Sequence, residues 1–264
     1  MSFRYESFRE FKIYAGKMSA TAELLELAVR EFQESATQSG DCARFLSVIA
    51  KKYGRHINLN KFPDLVRRTI HYHIASLHES FDRFLRAFRV DHIKMFGKQW
   101  RDFDRKSILQ TTILNIFPSE KAARQQIGEM QLELCDYYRL IRNHAMHPDD
   151  SSDDVENKYN SVQIFKGKVL STYDKIDRAP NSFNVVELDD VSLFIRAAQD
   201  VAWELCQNAK PDDGQLLHSI ESDVTKFKIK WRDLNRVRKA VQNLLTKKFG
   251  LDINESARLA NTVR

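Results

Sequence analysis

The chain has little of what breaks helices, staples small folds or crosses membranes. Its 264 residues include eight glycines, five prolines and three cysteines. So few glycines and prolines argue against collagen-like repeats, long linkers and many tight hairpins, and favour long helices. Cys42, Cys135 and Cys206 are odd in number, far apart and outside any CxxC pair, which suggests neither a disulfide framework nor a zinc finger and leaves them as core filler. No run approaches the roughly 20 apolar residues that span a bilayer. The opening MSFRYESFRE also lacks the apolar stretch of a secretory signal. A cytoplasmic protein without a membrane partner is therefore expected. Charge of one sign is scarce too: a formal net charge of +6 permits a nucleic-acid partner without requiring one.

What is present is helical periodicity. The first sixty residues carry TAELLELAVREFQ and ARFLSVIAKKYG, joined by the polar turn SATQSGD. In the segment that follows, Ile70, Ile74, Leu77, Phe81, Phe84 and Phe88 recur every three or four residues, with Pro63 suited to a first helical turn. A second seam starts at Ser119, a candidate N-cap, and runs through Ile127, Met130, Leu134, Tyr137 and Ile141. A third, Val191, Phe194, Ala198, Val201 and Leu205, follows the acidic pair Asp189–Asp190. Three matched seams predict an all-α fold in the main, an antiparallel helical bundle. Between the second and third seams, DDSSDDVEN reads as a mobile loop, and SVQIF, KVLSTY and FNVVEL as a small β insert. The predicted organisation is a helical N-terminal extension over 1–60, a helical domain over 61–210 and a basic helical C-terminal extension over 211–264.

The densest chemistry is RLIRNHAMHP, residues 139–148. Arg142 and His147 have the form R-x4-H, a spacing that is weak by itself. With 22 arginines and eight histidines, about two matches with four to six intervening residues arise by chance. Five occur, from Arg67 and Arg68 to His73, Arg86 to His92, Arg139 to His144, and Arg142 to His147. The first three lie inside one long helix, where residues five or six apart point to different sides. At Arg142 the apolar seam has just reached its last member, Ile141, and Pro148 disfavours helical geometry at His147. The helix is predicted to stop there, so that Arg142 on the final turn, Asn143 beside it and His147 on the exit can meet one ligand.

That trio suits RNA cleavage by the 2′-hydroxyl without a metal. Histidine titrates near neutrality and moves protons. Arginine keeps its charge and offers a planar fork to phosphate oxygens. The partial negative charge of a helix C-terminus favours a proton-donating imidazole, which gives His147 the part of general acid. The bland alternative is a basic last turn that merely complements the helix dipole.

With Arg142-Asn143-x-x-x-His147 in place, the chain resembles the HEPN superfamily, whose helical bundles carry an R-x4–6-H motif with a polar residue, commonly Asn, after the arginine. The resemblance covers about residues 62–208. It implies a HEPN-type bundle acting as a metal-independent endoribonuclease with no cofactor, with Arg142, Asn143 and His147 as catalytic residues and RNA as substrate. It also implies a homodimer with a shared cleft, and a role in bacterial defence or as a toxin, with an antitoxin or defence-system protein as partner. A family feature, a polar residue on the long preceding helix facing the site, would fall to Glu79 or Asp82. His144 takes a supporting role at best. The toxins paired with nucleotidyltransferase antitoxins carry Tyr two residues past the His, and here that position is Asp149.

Other clusters invite rival readings. His71, His73 and His78 with Glu79 suggest a metal, but His73 points away from the face that His71 and His78 share, and no metal site is expected. KFKIKWRDLNRVRK interleaves aromatic and basic residues, so Lys228, Lys230 and Arg232 are candidate RNA contacts, and equally the solvated face of an amphipathic helix. The alternative function is a non-catalytic HEPN-like module that binds RNA or nucleotide or assembles a complex. A DNA-binding regulator rests on the same basic segment alone.

Overall fold

The structure is a computed structural model that describes residues 3–56, 65–147 and 152–263. Its regular elements among the described residues are helical. They are α1 (Glu6–Gln38), α2 (Cys42–Lys52), α3 (Leu65–Phe96), α4 (Ile108–Ile116), α5 (Glu120–Ile127), α6 (Glu129–Met146), α7 (Ser152–Val162), α8 (Lys166–Thr172), α9 (Leu188–Asn208), α10 (Asp213–His218), α11 (Glu221–Lys230), α12 (Leu234–Phe249) and α13 (Ile253–Asn261). Two compact units divide the chain: Met1–Tyr14 with Ser80–Leu132 and Ala198–Arg264, and Ala15–Glu79 with Glu133–Ala197.

The first unit has an aromatic core. Phe11 stacks on Phe84 with ring centroids 5.4 Å apart, Tyr5 meets Phe88 edge-on at 5.2 Å, and Phe8 lies 5.9 Å from Trp203. The Tyr5 hydroxyl donates to the Ala209 carbonyl at 2.6 Å, which satisfies the polar tip of a ring that is otherwise buried. Val237, Val241, Leu245 and Phe249 form a buried stripe every four residues on α12, which packs on α13. Asp233 caps α12 by accepting from the Asn235 amide, and Gly250 at φ 66° ends it in the left-handed conformation that a Cβ disfavours.

In the second unit the three seams read from sequence are buried. Ile70, Ile74 and Leu77 of α3, Leu134, Tyr137, Tyr138 and Ile141 of α6, and Val191 and Phe194 of α9 are all 1% exposed or less. Phe194 stacks on Tyr138 at 5.1 Å and lies 6.2 Å from the His78 ring, so α9 touches both other helices. Each such side chain contributes about 1.5–3 kcal/mol on burial.

Four sequence expectations are corrected. No β insert forms among the described residues: SVQIF and KVLSTY supply the end of α7, a 3₁₀ turn over Gln163–Phe165 and α8, while FNVVEL gives a 3₁₀ turn over Phe183–Val185 and the start of α9. The reason is a helical stripe hidden among β-formers. Val155, Val162 and Val169 step by seven residues and are all buried, whereas Ile164 and Leu170 are exposed. The expected acidic loop is helical from Ser152, and Asp154 and Glu156 fall in the first turns of α7, where the positive end of the helix dipole favours them. Pro148 and the loop's first residues, 149–151, lie outside the described residues. The helix expected from Ser119 to Ile141 is two helices. Ser119 does cap α5, accepting from the Ala122 amide, but Gly128 at φ 105° ends it before α6 begins. Likewise the basic C-terminal segment divides at Trp231 into α11 and α12.

Candidate functional site

The last turns of α6 hold the arginine–histidine motif in the second unit. Below them Tyr137, Tyr138 and Ile141 are fully buried, which fixes the helix against its unit and decides which way the following polar residues project. Arg142 and Asn143 are half-buried, and the Arg142 Nη1 donates to the Asn143 Oδ1 at 3.0 Å. This occupies the amide oxygen and leaves the Asn143 Nδ2 as a second donor beside the guanidinium. The helix ends at Met146. His147 is the first residue past it, exposed, with its backbone amide still donating to the Asn143 carbonyl at 2.7 Å.

Neighbouring side chains separate Arg142 from Arg139. Arg139 is committed to Asp136, with Nε 2.9 Å and Nη2 2.8 Å from Oδ1. Lys158 of α7 joins them, 2.7 Å from the Asp136 Oδ2 and 2.6 Å from the Glu133 Oε2. Burial raises the Asp136 carboxyl, but the bond from Lys158 and the charge of Arg139 outweigh it and hold the group below its ordinary value. Among the described residues Arg142 has no carboxylate partner, so its charge is compensated only by the Asn143 dipole. A guanidinium in that condition has its donors available for an anion.

On α3, His78 senses this turn. Burial pushes its pKa down to about 4, Arg142 and Arg139 push the same way, and Asp136 opposes them. It is therefore a neutral imidazole at physiological pH. Glu79 is exposed, and Asp82 is half-buried on the part of α3 that belongs to the first unit.

His144 faces a different group of side chains from that of Arg142. Its ring meets Phe183 edge-on at 4.6 Å, and its Nδ1 is buried with no hydrogen-bond partner among the described residues. His71 stacks on the same phenyl ring at 4.3 Å, and its Nε2 lies 3.1 Å from the Phe183 carbonyl oxygen. Burial pushes the His71 pKa down to about 4, against the bond to that carbonyl and with Arg67 and His144 adding to the fall.

The segment carrying Phe183 is fixed by Asp190, a carboxylate with no exposed surface. Its Oδ1 accepts from the Tyr138 hydroxyl at 2.9 Å and the Asn181 amide at 3.0 Å, and its Oδ2 from the Asn181 Nδ2 and the Glu187 amide, both at 2.9 Å. Burial pushes the carboxyl up to about 6, although all four donors pull it down. In the sequence Asp190 reads only as part of a cap-like acidic pair. The missed signal is its register: 190, 194, 197 and 201 follow the apolar face of α9, and a carboxylate on such a face must be satisfied from inside the fold.

Lys228 and Lys230 at the end of α11, and Arg232 just past it, are exposed in the first unit, and the Lys230 Nζ lies 5.0 Å from the Trp231 ring centroid. Among the described residues, no three His, Cys, Asp or Glu side chains gather in a metal-binding group, and no helix is long and apolar enough to cross a membrane.

The arrangement at the end of α6 thus presents a cation without a carboxylate, an amide donor and an exposed imidazole within six consecutive residues. Comparison with protein-family models, with curated proteins and with solved structures finds no match to this chain.

Proposed function

We propose that this chain is a metal-independent endoribonuclease of the HEPN kind, cutting RNA by attack of its own 2′-hydroxyl at the end of α6. The observation that carries the reading is the contrast between two neighbouring arginines: Arg139 is neutralised by Asp136, whereas Arg142 sits beside Asn143 without a carboxylate. Arg142 compensates the charge that accumulates on the phosphoryl oxygens as the 2′-oxygen attacks. The Nδ2 of Asn143 orients the phosphate. His147, in its protonated form, delivers a proton to the departing 5′-oxygen, and the proton of the 2′-hydroxyl passes to solvent. The resemblance of Arg142-Asn143-x-x-x-His147 to the HEPN motif supports the assignment, and with it a homodimer and a place in bacterial defence or toxicity.

The test is incubation of the purified chain with labelled tRNA and mRNA in EDTA, followed by analysis of the fragment ends. Wild type is expected to leave 2′,3′-cyclic phosphates. Arg142→Ala and His147→Ala should each lower the rate about 100-fold or more with the melting temperature unchanged, since neither side chain belongs to the core. Full-rate cleavage by both variants refutes the assignment. The second reading, a module that binds RNA without cutting it, draws on the exposed Lys228, Lys230 and Arg232 around Trp231. It requires binding that falls when those three are neutralised and ignores His147.

A further inference from the structure

The part of α1 that belongs to the second unit reverses the usual distribution of apolar residues on a surface helix. Its fully buried residues, Ala15, Ala22 and Ala36, are all alanines, whereas Leu24 and Leu27 point to solvent with 68% and 65% of their surface exposed. An amphipathic helix of a monomer keeps its large apolar side chains for the inner face. Leu25 and Ala28 are exposed as well and widen the outer patch. Single leucines scattered over a surface are ordinary, but a contiguous patch over successive helical turns marks a face for association.

The pattern on that face is a seam for another helix. Lys17, Leu24 and Glu31 step by seven residues, as do Ala20, Leu27 and Glu34, and all six are exposed. Together they recur at alternating steps of three and four, the spacing against which a helical partner packs. The order of residues along the two rows says which partner. When two copies of the face are laid antiparallel, one row meets the other reversed, so that Lys17 faces Glu34, Leu24 faces Leu27 and Ala20 faces Glu31, each pair occurring twice about the dyad. Opposite charges then meet at both ends and leucines in the middle. Laid parallel, each row would meet itself, with Lys17 against Lys17 and Glu34 against Glu34, which like charge disfavours.

We propose that α1 pairs with α1 of a second copy of this chain, antiparallel and centred between Leu24 and Leu27. The face lies outside residues 62–208, on which the HEPN resemblance rests, so this pairing is separate from a dimer that shares the motif and goes beyond the ribonuclease reading. From Lys17 to Glu34 it runs along about 27 Å of helix. That is short for an interface, so the association depends on concentration.

Analytical ultracentrifugation of the full chain across micromolar concentrations tests the pairing. Leu24→Ser combined with Leu27→Ser should weaken self-association about 100-fold, with an unchanged melting curve because both side chains are exposed. Lys17→Glu sets like charges against each other at both ends and should weaken it about 10-fold. Adding Glu34→Lys to that variant should restore the wild-type affinity. The two positions stand about 25 Å apart along one helix, so the rescue comes from the other copy, and from the antiparallel order alone. A wild-type chain that stays monomeric overturns the proposal. So does an oligomer indifferent to the leucine pair, which would belong to another surface, and so does a loss in Lys17→Glu that Glu34→Lys leaves uncorrected. All four substitutions lie on α1, so the outcome is independent of the RNA assay.

Discussion

Replacing Asp190 by asparagine sets two opposed effects against each other, and the geometry decides which wins. The neutral amide is spared the burial of charge that pushes the carboxyl up to about 6. A displacement of about two units, in which the four bonds are already counted, corresponds to roughly 3 kcal/mol in favour of a neutral carboxyl. The donors argue the other way. Each Asp190 oxygen accepts two bonds, from Tyr138 and Asn181 at one and from Asn181 and Glu187 at the other. Asparagine has one acceptor oxygen, so whichever way it turns, its NH₂ group meets two further donors. Relative to a neutral carboxyl, two donors are left buried without an acceptor, at up to about 3 kcal/mol each. The difference is a net destabilisation of up to about 3 kcal/mol, or a fall in melting temperature of up to roughly 6–12 °C for a chain this size. The pH dependence sharpens the test. The folded carboxyl lies above its ordinary value of 3.8, so the folded state binds the extra proton between about pH 4 and pH 6 and wild type gains stability on acidification through that window. Asparagine does not titrate, and the gap between the two proteins should widen toward pH 4. Urea unfolding at pH 7 and at pH 4.5, followed by near-ultraviolet dichroism, measures both quantities. Asp190→Asn as stable as wild type at pH 7 would refute the four-donor account.

Two further outcomes follow from named groups. His78 has a folded pKa of about 4 against an ordinary 6.5, so its contribution is complete above pH 6.5 and is lost as pH falls toward 4. His78→Gln should lower the proton uptake on unfolding by about one in that window, flattening the slope of stability against pH by up to about 1.4 kcal/mol per unit; an unaltered slope would show that folding does not change the protonation of His78. Gly128 has φ 105°, and a Cβ there would lie 2.2 Å from the Gln131 Oε1. The glutamine can swing aside but the backbone angle cannot relax, so Gly128→Ala should cost about 1–3 kcal/mol by denaturant unfolding, and a neutral result would mean that the α5–α6 break is not needed.

The parts of the fold legible in the sequence are those fixed by a repeating apolar step. The seams at Ile70–Leu77, Leu134–Ile141 and Val191–Phe194 are buried as their spacing requires, because a stripe at 3.6-residue periodicity can be hidden only by a helix. Residues 161–173 were illegible for the same reason in reverse. Runs of five or six residues rich in β-branched side chains fit either period, and only the wider step from Val155 to Val162 to Val169 reveals the helix. At the site, the helix stop near His147 was legible from the end of the seam. What distinguishes Arg142 from Arg139 was not, since Asp136 is an i, i+3 neighbour of Arg139 whose pairing is completed by Lys158, 22 residues further along the chain. Nor was Phe183, whose place depends on contacts with His71 and His144 at 112 and 39 residues' distance in sequence.

Those long-range contacts tie the stability of Asp190 to the chemistry at the end of α6. Phe183 lies between Asn181 and Glu187, whose backbone amides both bond to Asp190. Freed from either bond, the segment could shift, and Phe183 would leave His71 and His144 without the ring that packs between them. The His71 pKa is low first because the ring is buried. Opening that wall would return water to the imidazole and allow it to charge nearer neutral pH. Asp190→Asn should therefore do more than weaken the fold. At a temperature where the variant is still folded, it should raise the His71 pKa toward its ordinary 6.5, readable from the imidazole NMR shifts. A folded Asp190→Asn protein with the wild-type His71 titration would break this link and leave Asp190 as a purely local anchor.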